Sequence, residues 1–136
     1  MRFLIAIAPL GLVAACAGTA PAPMMTADNA VTTVGTATTV DMTASLQFAP
    51  NAVTINAGET VNFRNISTFT HTVSTMADTP IESQAVLLPA GATPFDSGAI
   101  APGQTFSQTF SVPGTYRYFC EPHVGQGMIG TVIVNP

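Results

Sequence analysis

Lysine and tryptophan are absent from this 136-residue sequence, and charged residues make up only 7% of it. Three arginines stand against seven carboxylates, which gives a formal net charge of −4. A chain with so few cations has no basic surface with which to neutralise phosphate groups. The composition therefore argues against a nucleic-acid-binding function.

Long hydrophobic runs are also missing, with one exception at the N-terminus. Arg2 is followed by an apolar run over residues 3–15, which is too short to span a bilayer but fits a signal-peptide core. The run ends at Cys16, as in bacterial lipoproteins. We predict a lipoprotein-type signal peptide over residues 1–15 and lipidation of Cys16; the alternative is ordinary cleavage near Ala20. Both interpretations predict export, to the periplasmic or cell-surface side of a bacterial membrane.

The remainder of the chain divides into a tether and one folded domain. Residues 16–39 are mostly Ala, Thr, Pro, Met and Gly without an apolar period, which predicts a flexible tether. From residue 40 to 136, Val, Ile and Phe alternate with small polar residues, and turn signals are frequent. This pattern predicts an all-β domain, an antiparallel sandwich. The predicted strands are 52–55, 60–64, 71–75, 105–112, 115–120 and 129–134, with a short helix near 81–88.

The chemically reactive residues lie near the end of the chain. Cys120, His123 and Met128 fall within the stretch 120–128, and His71 is the one other histidine of the sequence. A thiolate with two imidazoles and a weak thioether is the donor set of blue-copper sites, because soft sulfur stabilises Cu(I) and imidazole suits both oxidation states. The predicted ligands of one type 1 copper ion are His71, Cys120, His123 and Met128.

Each of these residues also has an ordinary interpretation when taken alone. His71 would be a partly buried structural histidine, Cys120 a small core residue and Met128 a packing residue. Their combination in one exported β-domain favours the metal site. Two histidines are too few for a multicopper oxidase, and one cysteine in the loop is too few for a binuclear copper centre.

Several segments resemble one known family, the plastocyanin-like cupredoxins. FCEPHVGQGMIG at 119–130 is similar to the plastocyanin copper loop, with the same Cys-x2-His-x4-Met spacing. LQFAP at 46–50 and VTINAGETV at 53–61 resemble its second strand and turn, and PGTY at 113–116 resembles the turn before its copper strand. The resemblance covers most of residues 43–135. It implies a Greek-key sandwich and the same four copper ligands, and the N-terminus suits a lipid-anchored bacterial or halocyanin-like member.

The function that this resemblance implies is electron transport rather than enzymatic catalysis. We expect a monomer that exchanges one electron with redox protein partners such as a cytochrome, oxidase, reductase or photosystem, and that contacts the membrane through its lipid anchor. The alternative hypothesis is a periplasmic copper chaperone or storage protein. Such a protein would bind Cu(I) through exposed Met, Cys or His and would not become intensely blue with Cu(II).

Overall fold

The computed structural model describes residues 37–136. The predicted signal peptide, Cys16 and the tether up to residue 36 lie outside the described residues. The first strand starts two residues before the predicted domain boundary at residue 40. The strands are β1 (Thr38–Met42), β2 (Phe48–Ala49), β3 (Ala52–Asn56), β4 (Glu59–Asn65), β5 (Thr105–Phe110), β6 (Gly114–Phe119) and β7 (Ile129–Asn135); the helices are α1 (Pro80–Ala85) and a 3₁₀ helix (Glu121–Gln126).

The strands form two sheets, which confirms the predicted all-β sandwich. One sheet has the order β2-β1-β4-β5 and the other has the order β3-β7-β6. The β1–β4 and β3–β7 pairs are parallel, whereas β1–β2, β4–β5 and β6–β7 are antiparallel. The sheets are therefore mixed rather than wholly antiparallel, because β1 and β3 each join a strand that is not their neighbour in sequence.

The core lies between the inner faces of the two sheets. Tyr116, Tyr118 and the following Cys120 alternate along β6 and are all buried in this core. Phe48 and Phe63 pack edge-on against the Tyr118 ring, with centroids 4.7 and 5.1 Å away. Such aromatic pairs add about 0.5–1.5 kcal/mol beyond the area that they bury. The strand that leads to Cys120 is therefore firmly held.

The segment 71–75 does not form the strand that the sequence predicts, and that prediction is wrong. All five of its residues are buried, so the segment lacks an outward face. It makes isolated bridges instead: His71 pairs with Ile100, and Ser74 pairs with both Asp96 and Phe119. Within a few residues the segment therefore changes its backbone pairing partner, from the loop that contains Ile100 to the edge of β6 at Phe119.

The short helix predicted near 81–88 is confirmed but lies slightly earlier, at Pro80–Ala85. A capping box fixes its start: Glu82 N donates to the Thr79 hydroxyl, and Thr79 N donates to the Glu82 carboxylate. These contacts lower the pKa of Glu82, with the Thr79 contact as the largest cause. The helix ends before Leu87, because Leu87 instead exchanges two backbone hydrogen bonds with Arg117 of β6. Neither helix of residues 37–136 is long and apolar enough to cross a membrane.

Gly130 of β7 gives the Tyr118 ring its space. A Cβ built on Gly130 would overlap the ring and the hydroxyl of Tyr118. Tyr118 is fully buried, and within the described residues its hydroxyl has no hydrogen-bond partner. The close approach of ring and backbone therefore requires glycine at this position.

We expect Gly130→Ala to lower the free energy of unfolding by about 1–3 kcal/mol, because the buried ring has to move. The matched control is Gly125→Ala, since a Cβ at Gly125 meets no atom within 4 Å. Chemical denaturation of the metal-free variants measures both effects. Equal stability of the two variants would contradict the packing argument.

Candidate metal centre

The turn after β6 brings Cys120 and His123 to one side of the domain. Cys120 is the N-cap of the 3₁₀ helix, and His123 N donates to Cys120 O at 3.0 Å. Gly127 ends the helix with a φ of 81°, a left-handed conformation that glycine adopts without strain. Cys120 N then donates to Met128 O at 3.1 Å, and Met128 N donates to His123 O at 3.2 Å. The loop is therefore closed on itself by its own backbone.

His71 reaches the same place from a distant part of the sequence. Its backbone exchanges two hydrogen bonds with Ile100, at 3.2 and 2.8 Å. Three residues later Ser74 exchanges two with Phe119, at 2.9 and 3.0 Å. Because Phe119 precedes Cys120, the second pair sets the His71 segment directly against the cysteine strand.

The side-chain donors of His71, Cys120 and His123 converge, with their ligand atoms all within 4.8 Å of one another. The Cys120 Sγ lies 3.6 Å from His71 Nδ1 and 3.3 Å from His123 Nδ1. Donors that are each about 2.0–2.3 Å from a shared first-row metal ion have separations of this size. His71 and Cys120 are fully buried, whereas His123 is partly exposed. A thiol with two imidazoles in this arrangement fits copper chemically.

Burial changes the acid–base properties of these donors. It raises the pKa of the Cys120 thiol, an effect that hydrogen bonds from Thr72 and His123 partly offset. Burial, followed by the charge of His123, lowers the pKa of His71. The lowered pKa favours the neutral imidazole, the form that binds metal, and metal binding displaces a proton from the thiol.

Thr72 braces the cysteine loop in two ways. Its backbone N–H donates to the Cys120 Sγ at 3.3 Å, and its hydroxyl accepts from Glu121 N at 2.8 Å. A hydrogen bond to the sulfur also withdraws charge from it and so tunes a bound metal.

Met128 is fully buried in the same core cluster as Cys120. Its backbone closes the ligand loop, as described above, which places the residue next to the three converging donors. Sequence reasoning missed two further residues near the site, Asn65 and Ser67, which are buried polar side chains upstream of His71. The signal that could have found them is the pair of polar residues at the end of β4 and just after it, ahead of the histidine.

A β-sandwich that gathers one thiol and two imidazoles at one end defines the class of cupredoxin-type copper proteins. Residues 34–135 match the family model for copper binding proteins of the plastocyanin/azurin family. The chain belongs to this family, and copper is its metal.

Curated relatives with clear sequence similarity are plastocyanins. The chain is 43% identical to the chloroplastic plastocyanin of Oryza sativa subsp. indica over 97 residues, which covers 66% of this chain and 56% of the relative. It is 43% identical to the plastocyanin of Scenedesmus fuscus over 91 residues, covering 67% of this chain and 89% of the relative. The chain thus spans just over half the length of the rice relative.

Solved structures of similar fold include variants of amicyanin. An oxidized amicyanin variant superposes with a TM-score of 0.58 at 28% identity, covering 73% of this chain and 82% of that one. A reduced variant superposes with a TM-score of 0.58 at 26% identity, covering 77% and 88%. The likeness agrees with the two-sheet architecture described above.

Proposed function

We propose that the protein is a single-copper electron carrier that accepts one electron from one redox protein and passes it to another. The observation that carries the proposal is the convergence of the donors of His71, Cys120 and His123 within 4.8 Å, on backbone segments tied by hydrogen bonds. The relatives named plastocyanin support it. Bound copper supplies one-electron chemistry between Cu(I) and Cu(II).

In this proposal His71, Cys120, His123 and Met128 would hold the copper ion, with the Met128 thioether as a weak donor. The rigid backbone holds the first three donors in place in both oxidation states, so little rearrangement is needed when the charge changes. Four protein donors leave no open position for a substrate, in contrast to catalytic metal sites. We therefore infer a carrier rather than an enzyme.

His123 provides the route for electrons in this proposal. It is the one member of the three converging donors that is partly exposed, and the adjacent Pro122 is exposed as well. Phe119, which precedes Cys120 in the sequence, is fully buried in a second cluster with Ala85 and Val124 and so does not reach the surface. A redox partner that docks over His123 would come nearest to the metal.

Copper binding by the wild type should give one equivalent per chain and an intense red-absorbing band from thiolate-to-copper charge transfer. Cys120→Ser should lose this band because the hydroxyl cannot replace the thiolate as charge donor. Titration of Cu(II) into the metal-free protein, followed by visible absorption, measures both. Far-UV circular dichroism serves as the control for folding. A wild type that binds copper without the band would point to a chaperone or storage protein instead.

Replacement of Met128 should change the reduction potential while the blue colour remains. Met128→Leu removes a donor and leaves an apolar neighbour, which disfavours Cu(II), so the potential should rise. Met128→Gln offers a harder amide oxygen that favours Cu(II), so the potential should fall. Cyclic voltammetry in one buffer compares the two variants with the wild type. Shifts of the same sign would show that Met128 packs in the core without acting as a ligand.

We also propose that the chain is exported and anchored to a membrane through lipidated Cys16, which lies outside the described residues. The support is the apolar run over residues 3–15 that ends at this cysteine. One acyl chain binds a membrane only marginally, so stable anchoring takes more than one.

Cys16→Ser should move the protein from the membrane fraction to the soluble exported fraction. Fractionation of bacterial cells that express the wild type or the variant, followed by immunoblotting, measures the distribution. An equal soluble share of both proteins would instead indicate ordinary cleavage downstream of Cys16.

A further inference from the structure

A buried hydrogen-bond chain runs from the end of β4 to the far side of the His71 ring. Ser67 Oγ lies 2.9 Å from His71 Nε2, the ring nitrogen that does not face Cys120. Asn65 Oδ1 lies 2.8 Å from the same Ser67 Oγ. All three side chains are buried, so water does not compete freely for these bonds.

The orientation of Asn65 is fixed by its neighbours. Its Nδ2 donates to Phe69 O at 2.7 Å and to Ile100 O at 2.9 Å, so both amide hydrogens are committed to carbonyl groups. Its Oδ1 accepts from Ser67 N at 3.0 Å. A flipped amide would set its NH₂ group against this N–H and its oxygen against two carbonyls. Oδ1 is therefore available to accept, and it faces the Ser67 hydroxyl.

The hydroxyl of Ser67 has one hydrogen and two lone pairs, and each can be assigned one hydrogen-bond partner. Its hydrogen goes to Asn65 Oδ1 at 2.8 Å, in preference to Phe69 O at 3.2 Å. One lone pair accepts from Phe69 N at 3.1 Å. If the hydroxyl donated to His71 Nε2 at 2.9 Å instead, Ser67 Oγ and Asn65 Oδ1 would lie 2.8 Å apart with no hydrogen between them. The other lone pair is therefore left to accept from His71 Nε2, which carries the hydrogen.

We propose that Ser67 is a positioning residue that holds His71 in the tautomer with hydrogen on Nε2 and a bare Nδ1 facing Cys120, and that Asn65 orients Ser67 for this role. The inference rests on the proposed copper site. In the metal-free protein the bare Nδ1 lies 3.6 Å from the Cys120 Sγ, close enough to accept from the thiol. The same lone pair is the one that a copper ion requires, so the ligand is arranged before metal arrives.

These hydrogen bonds predict the effect of removing the Ser67 hydroxyl. In Ser67→Ala the His71 Nε2–H has no partner in a buried place, so the ring samples both tautomers and loses its fixed orientation. A distal hydrogen bond of this kind raises ligand basicity, and its loss typically weakens metal binding about ten- to hundredfold. A less basic imidazole also favours Cu(II) less, so the reduction potential should rise.

The test uses the full chain with ¹⁵N-labelled histidine. Long-range ¹H–¹⁵N correlation spectra of the metal-free protein at about pH 8, above the usual histidine pKa, report which His71 nitrogen carries hydrogen. We expect a single Nε2–H form in the wild type and in Ser67→Thr, which keeps the hydroxyl, but a mixture in Ser67→Ala. The matched control is Ser107→Ala, which removes a hydroxyl that donates to Asn62 Oδ1 at 2.6 Å on an exposed strand.

Competition titration with a Cu(I) chelator and voltammetry complete the experiment. Weaker copper binding and a higher potential in Ser67→Ala, with Ser67→Thr and Ser107→Ala like the wild type, would support the inference. A wild type with hydrogen on Nδ1, or a Ser67→Ala variant unchanged in tautomer, affinity and potential, would overturn it. The wild-type spectrum decides the tautomer even if Ser67→Ala fails to fold. A wild type with the expected tautomer but no blue copper band would refute the proposed function separately.

Discussion

The paired backbone hydrogen bonds between Ser74 and Phe119 are the constraint on which the metal centre depends. They join the segment that carries His71 to the strand that carries Cys120. Without this junction nothing would bring the Cys120 thiol and the His71 imidazole together, since they lie 49 positions apart in the chain. The junction is buried, so water cannot readily replace its hydrogen bonds. Breaking them would leave buried polar groups without partners, which is costly.

Two layers of contacts keep the donors fixed around that junction. Nearer to the sulfur, Thr72 donates from its backbone to the Cys120 Sγ and accepts from Glu121 through its hydroxyl. Further out, Ser67 and Asn65 connect the distal nitrogen of His71 to the end of β4. Donors supported in this way can keep their arrangement when the charge of a bound metal ion changes. This is the physical demand that electron transfer makes on a copper site.

The alternation of residues allowed most strands to be predicted, because β4 and β7 each bury one face and the period of two is visible in the sequence. The segment 71–75 could not be assigned in this way. Every residue in it is buried, and its pairing changes from Ile100 to Phe119 along its length. A local pattern carries no information about such a switch of partners. The parallel pairs β1–β4 and β3–β7 were missed for the same reason, since register between distant strands is not a local property.

The sequence by itself determined the donor types. Cys120, His123 and Met128 have the Cys-x2-His-x4-Met spacing, and His71 is the one other histidine. These residue types restrict the chemistry to soft and borderline metals. Only the tertiary structure decided that His71 presents Nδ1 rather than Nε2 to the sulfur, and that His123 rather than His71 is the exposed imidazole. The physical reason is that residue identity fixes which atoms can donate or accept. Which of them face one another, and which reach solvent, depends on how the two sheets and the crossing segment pack.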